Sequence, residues 1–274
     1  MTGFSDRLIA TDLDGTLLRS DHTVSARTRA ALAAAVDAGA HHLVVTGRVA
    51  QWARPVLERI GYQGLAVCGQ GGQLYHAGRD ALVSSTPLDR ETVRGAVAEV
   101  EALTGPLTLC VEPERLEDPV LVGPGHPEPN VGPVRARRVE RAAELWRRPV
   151  GKVIIRHPHL SDDALAEAAA QAVGELVDVT LAGPDCVELL PRGLSKATGL
   201  AAAASLLGLE RETSIAFGDM PNDLPMFAWA GHGVAMGNAH PRLKAVADEV
   251  TALNDEDGVA VVLERELAAA GAAA

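Results

Sequence analysis

Short apolar runs alternate with helix-like segments at both ends of this 274-residue chain, and that alternation leaves few folds open. Residues 8–12, 42–46 and 65–68 are apolar runs of strand length. Between them Ser25 is placed to cap a helix ending near Gly39, and residues 49–60 read as a second helix stopped by Gly61. Short apolar strands joined by helices imply a parallel sheet with helices on both faces. The pattern resumes after Pro191, with a helix over 195–207, a strand at 214–217, a helix from Pro221, a strand at 233–236, a helix over 241–247 and an Ala-rich C-terminal helix. The middle differs. Strand-like runs at 81–85, 107–112, 120–123, 150–157, 177–182 and 186–190 are interspersed with helix-like stretches at 91–103, 139–147 and 162–175, and residues 123–133 form a loop rich in Pro and Gly. The expectation is an α/β core over residues 1–80 and 191–274, with a separate α+β module over 81–190 inserted into it.

Hydrophobic residues make up 47% of the chain and aromatics 3%, so Leu, Val and Ala must do most of the packing. A formal charge of −11 argues against a nucleic-acid binder that relies on a broad basic field. One stretch runs against that balance: residues 135–156 carry eight Lys/Arg and two Glu. Such a stretch is either a solvated helix flank or a patch favouring a substrate with more than one negative group, with Arg137 and Arg138 as its contacts. Cys68, Cys110 and Cys186 are far apart with no C-x-x-C spacing, which reads as reduced thiols and no zinc site. The N-terminal segment has no secretory apolar region, and the longest apolar stretch, 200–209, falls short of the ~20 residues of a membrane span. A cytoplasmic protein with no membrane partner is expected, and nothing distinguishes a monomer from a homodimer. Trp52, Trp146 and Trp229 are expected to pack, and the histidines at 41, 42, 157, 159, 232 and 240 show no metal-ligand spacing.

Chemistry concentrates at the ends of the expected strands, where ligands gather in sheets of this kind. Asp12-Leu13-Asp14-Gly15-Thr16 follows the first apolar run. Alternate residues of an extended segment share a face, so both carboxylates can look into one crevice, and Gly15 lets the backbone turn. An anion between them could be attacked by one acid while the other protonates its leaving group, given a metal cation to offset their charge. Alone, the motif is also the composition of a solvated turn. It is not a calcium loop, because apolar Leu17-Leu18 stand where oxygen ligands would continue. Thr46-Gly47-Arg48 closes the second run with a hydroxyl, a glycine backbone and a following helix start, a combination suited to a phosphate or to an ordinary strand–helix turn. Lys196 sits in the first turn of a helix, where a cation opposes the helix dipole unless an anion is bound there. Asp219, Asn222 and Asp223 crowd one turn after the strand at 214–217, a cluster of hard oxygen donors suited to Mg²⁺.

These four elements in this order, with the inserted module, resemble the haloacid dehalogenase superfamily, and within it the Cof-type phosphatases with an α/β cap. The resemblance spans nearly the whole chain and is strongest at residues 8–18, 44–48, 193–196 and 215–238. Gln70-Gly71 stands where the family often carries Asn-Gly. The resemblance implies a Rossmann-like core with an inserted cap and a Mg²⁺-dependent phosphatase acting on a small phosphorylated metabolite, a sugar phosphate or similar. It implies Asp12 as nucleophile forming an aspartyl-phosphate and Asp14 as general acid and base. Thr46, Gly47, Arg48, Lys196 and Asn222 would surround the phosphoryl group. The metal would be held by Asp12, Asp14 through its carbonyl, and Asp219, with Asp223 supporting the set. Two other readings stay open: a phosphomutase on the same scaffold, which needs a second phosphate site, and a non-enzymatic phospho-acceptor, against which Asp14 argues because it would promote hydrolysis.

Overall fold

The computed structural model describes residues 4–127 and 136–272. In chain order the first stretch holds β1 (Leu8–Thr11), α1 (Ala26–Asp37), β2 (His41–Val45), α2 (Ala50–Ile60), β3 (Leu65–Cys68), β4 (Gln73–His76) and β5 (Ala81–Ser85). The middle holds α3 (Arg90–Thr104), β6 (Thr108–Pro113), β7 (Val120–Val122), β8 (Ala136–Arg138), β9 (Val150–Arg156), α4 (Asp162–Val173), β10 (Asp178–Gly183) and β11 (Cys186–Leu190). The chain then continues through α5 (Lys196–Leu207), β12 (Ile215–Gly218), α6 (Leu224–Trp229), β13 (His232–Ala235), α7 (Pro241–Lys244), β14 (Glu249–Val250) and α8 (Gly258–Ala272).

Two sheets result. The larger has the order β14-β13-β12-β1-β2-β3-β4-β5, parallel from β14 to β3 and antiparallel at the β3-β4-β5 edge. Its central strands are buried throughout, as strands covered on both faces must be. The smaller has the order β10-β11-β9-β6-β7-β8 and is antiparallel except at β7/β8. Its apolar face packs under α3 and α4, where Val93, Val97 and Val100 meet Leu165, Ala169 and Val173.

Two boundaries differ from the sequence reading. Residues 81–85, expected to open the inserted module, pair with β4 at the edge of the larger sheet. The reason is the β4 strand, which the sequence reading does not include and which extends that sheet by a hairpin. Residues 139–147, expected as a helix, form a single short turn at Ala142–Glu144. Val139 and Leu145 are the buried residues there. They stand six positions apart, a spacing that an α-helix would turn to different faces. Most of the loop expected over 123–133 lies outside the described residues.

Strand alternation positions the site. On the face of the smaller sheet away from its helices stand Cys110 and Glu112 of β6, Lys152 and Ile154 of β9, and Cys186 and Glu188 of β11, each pair two residues apart. Glu112 lies directly opposite Lys152 in the ladder, and Glu188 is opposite Ile154. Trp52 of α2 packs against the apolar members of this face, so it turns toward the C-terminal ends of β1 and β2.

The loop after β3 is pressed against the start of α5. Gly71 has φ +103°, and a Cβ there would collide with the carbonyl of Ser195. Gly71→Ala should destabilise the protein by about 1–3 kcal/mol or more through backbone strain alone, read as a lower midpoint in urea unfolding; an unchanged midpoint would mean that the loop and α5 are not in close contact.

Candidate active site

Asp12 leaves the end of β1 in extended conformation and is almost fully buried. The turn that follows depends on Gly15, whose φ of +74° suits glycine and whose missing Cβ leaves room for the Asp219 carboxylate. Thr16 donates to Asp219 Oδ1 at 3.1 Å, so the turn after β1 and the turn after β12 are tied together. Lys196 reaches the same point from α5. Ser195 caps that helix in a reciprocal box with Thr198, each side chain bonding the other's backbone, which holds Lys196 at the first helical position. Its ammonium is buried and donates to Asp12 Oδ1 and Asp223 Oδ1, both at 2.6 Å. The unfavourable placement of a cation at a helix start is thereby offset by two carboxylates.

Asp223 is the helix-turn organiser: its Oδ2 accepts from the backbone N–H of Asp219 (2.9 Å) and Met220 (3.0 Å). Both of its oxygens are therefore engaged by the protein. The Asp219 side chain accepts from Thr16.

Asp12, Asp219 and Asp223 bring carboxylate oxygens within 4.8 Å of one another, all buried. Burial pushes Asp12 well above the ordinary carboxylate range; Lys196 pulls it down, and Asp223 and Asp219 push it further up. Asp219 is pushed up to about 7 by burial and then by the Asp223 charge. Burial would lower Lys196, but Asp12 and Asp223 outweigh that and hold it above its usual range. Three carboxylates against one ammonium leave an excess of negative charge out of water. That is the condition a divalent cation relieves, and an all-oxygen donor set suits Mg²⁺, so the residues present fit the ion.

Asp14 lies outside this cluster. Its side chain is 43% exposed and takes a bidentate pair from Arg48, with Nε at 2.6 Å and Nη2 at 2.5 Å. Arg48, expected near a phosphoryl group, thus holds the second acid in this conformation. The Thr46 hydroxyl accepts the Arg48 N–H at 3.1 Å and is buried at the end of β2. Asn222 donates to Gln70 Oε1 at 3.2 Å. Asp12, Asp14, Thr46, Gly47, Arg48 and Asn222 all line one cavity of about 260 Å³; Lys196, Asp219 and Asp223 stand behind its floor.

The opposite wall comes from residues that sequence inspection missed. Glu112, Lys152 and Glu188, nearly fully buried, face the cavity together with Trp52. Lys152 donates to Glu188, to the carbonyl of Gly47 at 2.7 Å, and approaches Glu112 at 3.3 Å. Gln70, in the left-handed region at φ +59°, donates to Glu188 Oε2 at 2.7 Å and so links both sheets. Burial would depress Lys152, yet the two carboxylates hold it above its usual range, while burial pushes Glu112 up to about 7 against the pull of Lys152. A signal for them existed: each is a lone charge within an apolar strand. Arg137 and Arg138 do not line the cavity. They sit on β8, the far edge of the smaller sheet, while Arg148 pairs with Asp118 and Arg156 with Asp185. His42 is a half-buried residue of β2 beside Thr11, its pKa lowered by burial to about 4.

Comparison with known proteins agrees with this architecture. The family model described as haloacid dehalogenase-like hydrolase matches residues 9–263. An HMP-PP phosphatase of Serratia proteamaculans is 30% identical over 278 residues, covering 95% of both chains. A 5-amino-6-(5-phospho-D-ribitylamino)uracil phosphatase of Bacillus subtilis is 30% identical, covering 95% of this chain and 98% of the relative. A solved haloacid dehalogenase-like hydrolase of Bacteroides thetaiotaomicron superposes with a TM-score of 0.73 at 27% identity, covering 95% of this chain and 99% of the other. Among the described residues no helix is long and apolar enough to cross a membrane. The chain belongs to the haloacid dehalogenase-like hydrolases, among the Cof-type phosphatases.

Proposed function

We propose that the protein is a Mg²⁺-dependent phosphomonoesterase that works through a phosphorylated Asp12 and acts on a small phosphorylated metabolite. One observation carries the reading: four segments distant in sequence deliver Asp12, Thr46, Lys196 and Asp219 to one water-poor point at the C-terminal end of a parallel sheet, with a second acid, Asp14, two residues beyond the first. An oxygen of Asp12 attacks phosphorus and the bond to the alcohol oxygen breaks; Asp14 supplies the proton that this oxygen needs. Asp14 then accepts a proton from the water that attacks the phosphoaspartate, releasing orthophosphate and restoring Asp12. Thr46, Lys196 and the backbone of Gly47 and Arg48 hold the phosphoryl oxygens. Asp12, the carbonyl of Asp14 and Asp219 would hold Mg²⁺, with Asp223 and Asn222 orienting them. When bound, the ion supplies positive charge that favours ionised Asp12 and stabilises the phosphoryl oxygens. The relatives named as HMP-PP and phosphoribitylaminouracil phosphatases support a small-molecule substrate.

Release of orthophosphate from a panel of metabolite phosphates should require Mg²⁺ and should be abolished in Asp12→Asn. Asp14→Asn should retain activity lowered by roughly 10²–10⁴. A folded wild-type protein that turns over no compound of the panel would overturn the reading.

The metal assignment has a readout apart from activity. Asp219 titrates near 7 in the folded protein against an ordinary value of 3.8, so the native state binds an extra proton between those values. Its contribution to stability is complete below the unfolded value and is lost as pH rises through about 7. Mg²⁺ takes the place of that proton. The Tm gain on adding Mg²⁺, followed by differential scanning calorimetry, should therefore be larger at pH 8 than at pH 5; equal gains would count against this cluster as the metal site.

A further inference from the structure

Three buried polar atoms around the cavity have no hydrogen-bond partner: Glu112 Oε2, Asn222 Oδ1 and Trp52 Nε1. Two are acceptors and one is a donor. Glu112 and Asn222 are 1% and 6% exposed. A buried acceptor left unmade carries the full cost of its desolvation, and a ligand that supplies N–H or O–H groups removes that cost.

The cations that line the cavity are paired with carboxylates. Lys152 donates to Glu188 and the Gly47 carbonyl, and its charge also pairs with Glu112 Oε2 at 3.3 Å without a hydrogen bond. Arg48 spends its Nε and Nη2 on Asp14. The wall thus carries two carboxylates, Glu112 and Glu188, for one ammonium, and a second anionic group on a substrate would meet that excess of negative charge. This reverses the expectation drawn from the basic stretch at 135–156, whose arginines lie elsewhere.

We propose that this cavity is a leaving-group subsite in which Glu112, with Asn222 and Trp52 beside it, selects phosphate esters whose alcohol part is neutral or cationic and rich in N–H or O–H donors, and rejects those bearing a second anion. The proposal rests on the phosphatase reading above and narrows its substrate class.

Glucosamine 6-phosphate, glucose 6-phosphate and 6-phosphogluconate share a carbon frame and differ in carrying a cationic, a neutral or an anionic group. For each, kcat/KM with Mg²⁺ is divided by the same protein's value for p-nitrophenyl phosphate. The first two should exceed the third by at least ~10-fold, since facing like charges in a desolvated site costs that much or more. Glu112→Gln should contract the preference by about tenfold, the scale of one charge-assisted hydrogen bond. An anionic compound turned over equally well or better, or a preference unmoved in folded Glu112→Gln, overturns the proposal; if that variant does not fold, the wild-type order decides. Should no compound release phosphate, p-nitrophenyl phosphate included, the phosphatase reading falls. Calorimetric titration of the same three into the Mg²⁺-loaded protein then decides the subsite by the same order, and equal binding or none overturns it.

Discussion

The Lys196 ammonium, held between Asp12 and Asp223, is the contact on which the rest of this architecture depends. Both partners sit at strand ends more than two hundred residues apart in the chain, and neither could be buried in ionised form without the cation. Breaking a buried ion pair costs about 3–5 kcal/mol, so the group that would hold a phosphoryl oxygen also fastens the turns after β1 and β12 to the start of α5. The site is built to remain under-neutralised: one ammonium for three carboxylates stores an affinity for further positive charge. A negative protein can in this way handle an anion, because the compensation is local and the overall balance does not enter.

The smaller sheet completes the site by the same economy of pattern. Its period of two divides each strand between a side that meets α3 and α4 and a side that meets the larger domain. The second side carries Glu112, Lys152 and Glu188 among apolar neighbours, and Lys152 reaches across to the Gly47 carbonyl. The wall facing the phosphoryl site is therefore fixed to the loop it faces, through the backbone of that loop.

Much of this was legible in the residues. The order of strands and helices, the turn at Gly15, the Ser195 cap and the acidic turn from Asp219 to Asp223 are local features, and local spacing reveals them. Contacts that depend on sheet order were hidden. Glu112, Lys152 and Glu188 come from strands separated by loops and a helix, and only the register of β6, β9 and β11 brings them together. The pairing of Arg48 with Asp14 was equally out of reach, since Arg48 suggested a phosphate contact and Asp14 an acid acting on the leaving group. The run of arginines misled for the opposite reason: a dense charge pattern in sequence became dispersed along a sheet edge and its flanks. Residues 139–147 misled because Ala and Arg favour helices, while the two residues that pack, Val139 and Leu145, are six apart and are joined by a loop with one short turn.

The chain returns from the smaller sheet to the larger through only the segment between Leu190 and Lys196. That tether ends where the reciprocal bonds of Ser195 and Thr198 begin, and Gly71 is wedged against the Ser195 carbonyl from the other side. Mechanical slack in the tether is thus arrested one residue before the lysine. A pull on the inserted unit would therefore load the capped start of α5 before it reached the ammonium of Lys196.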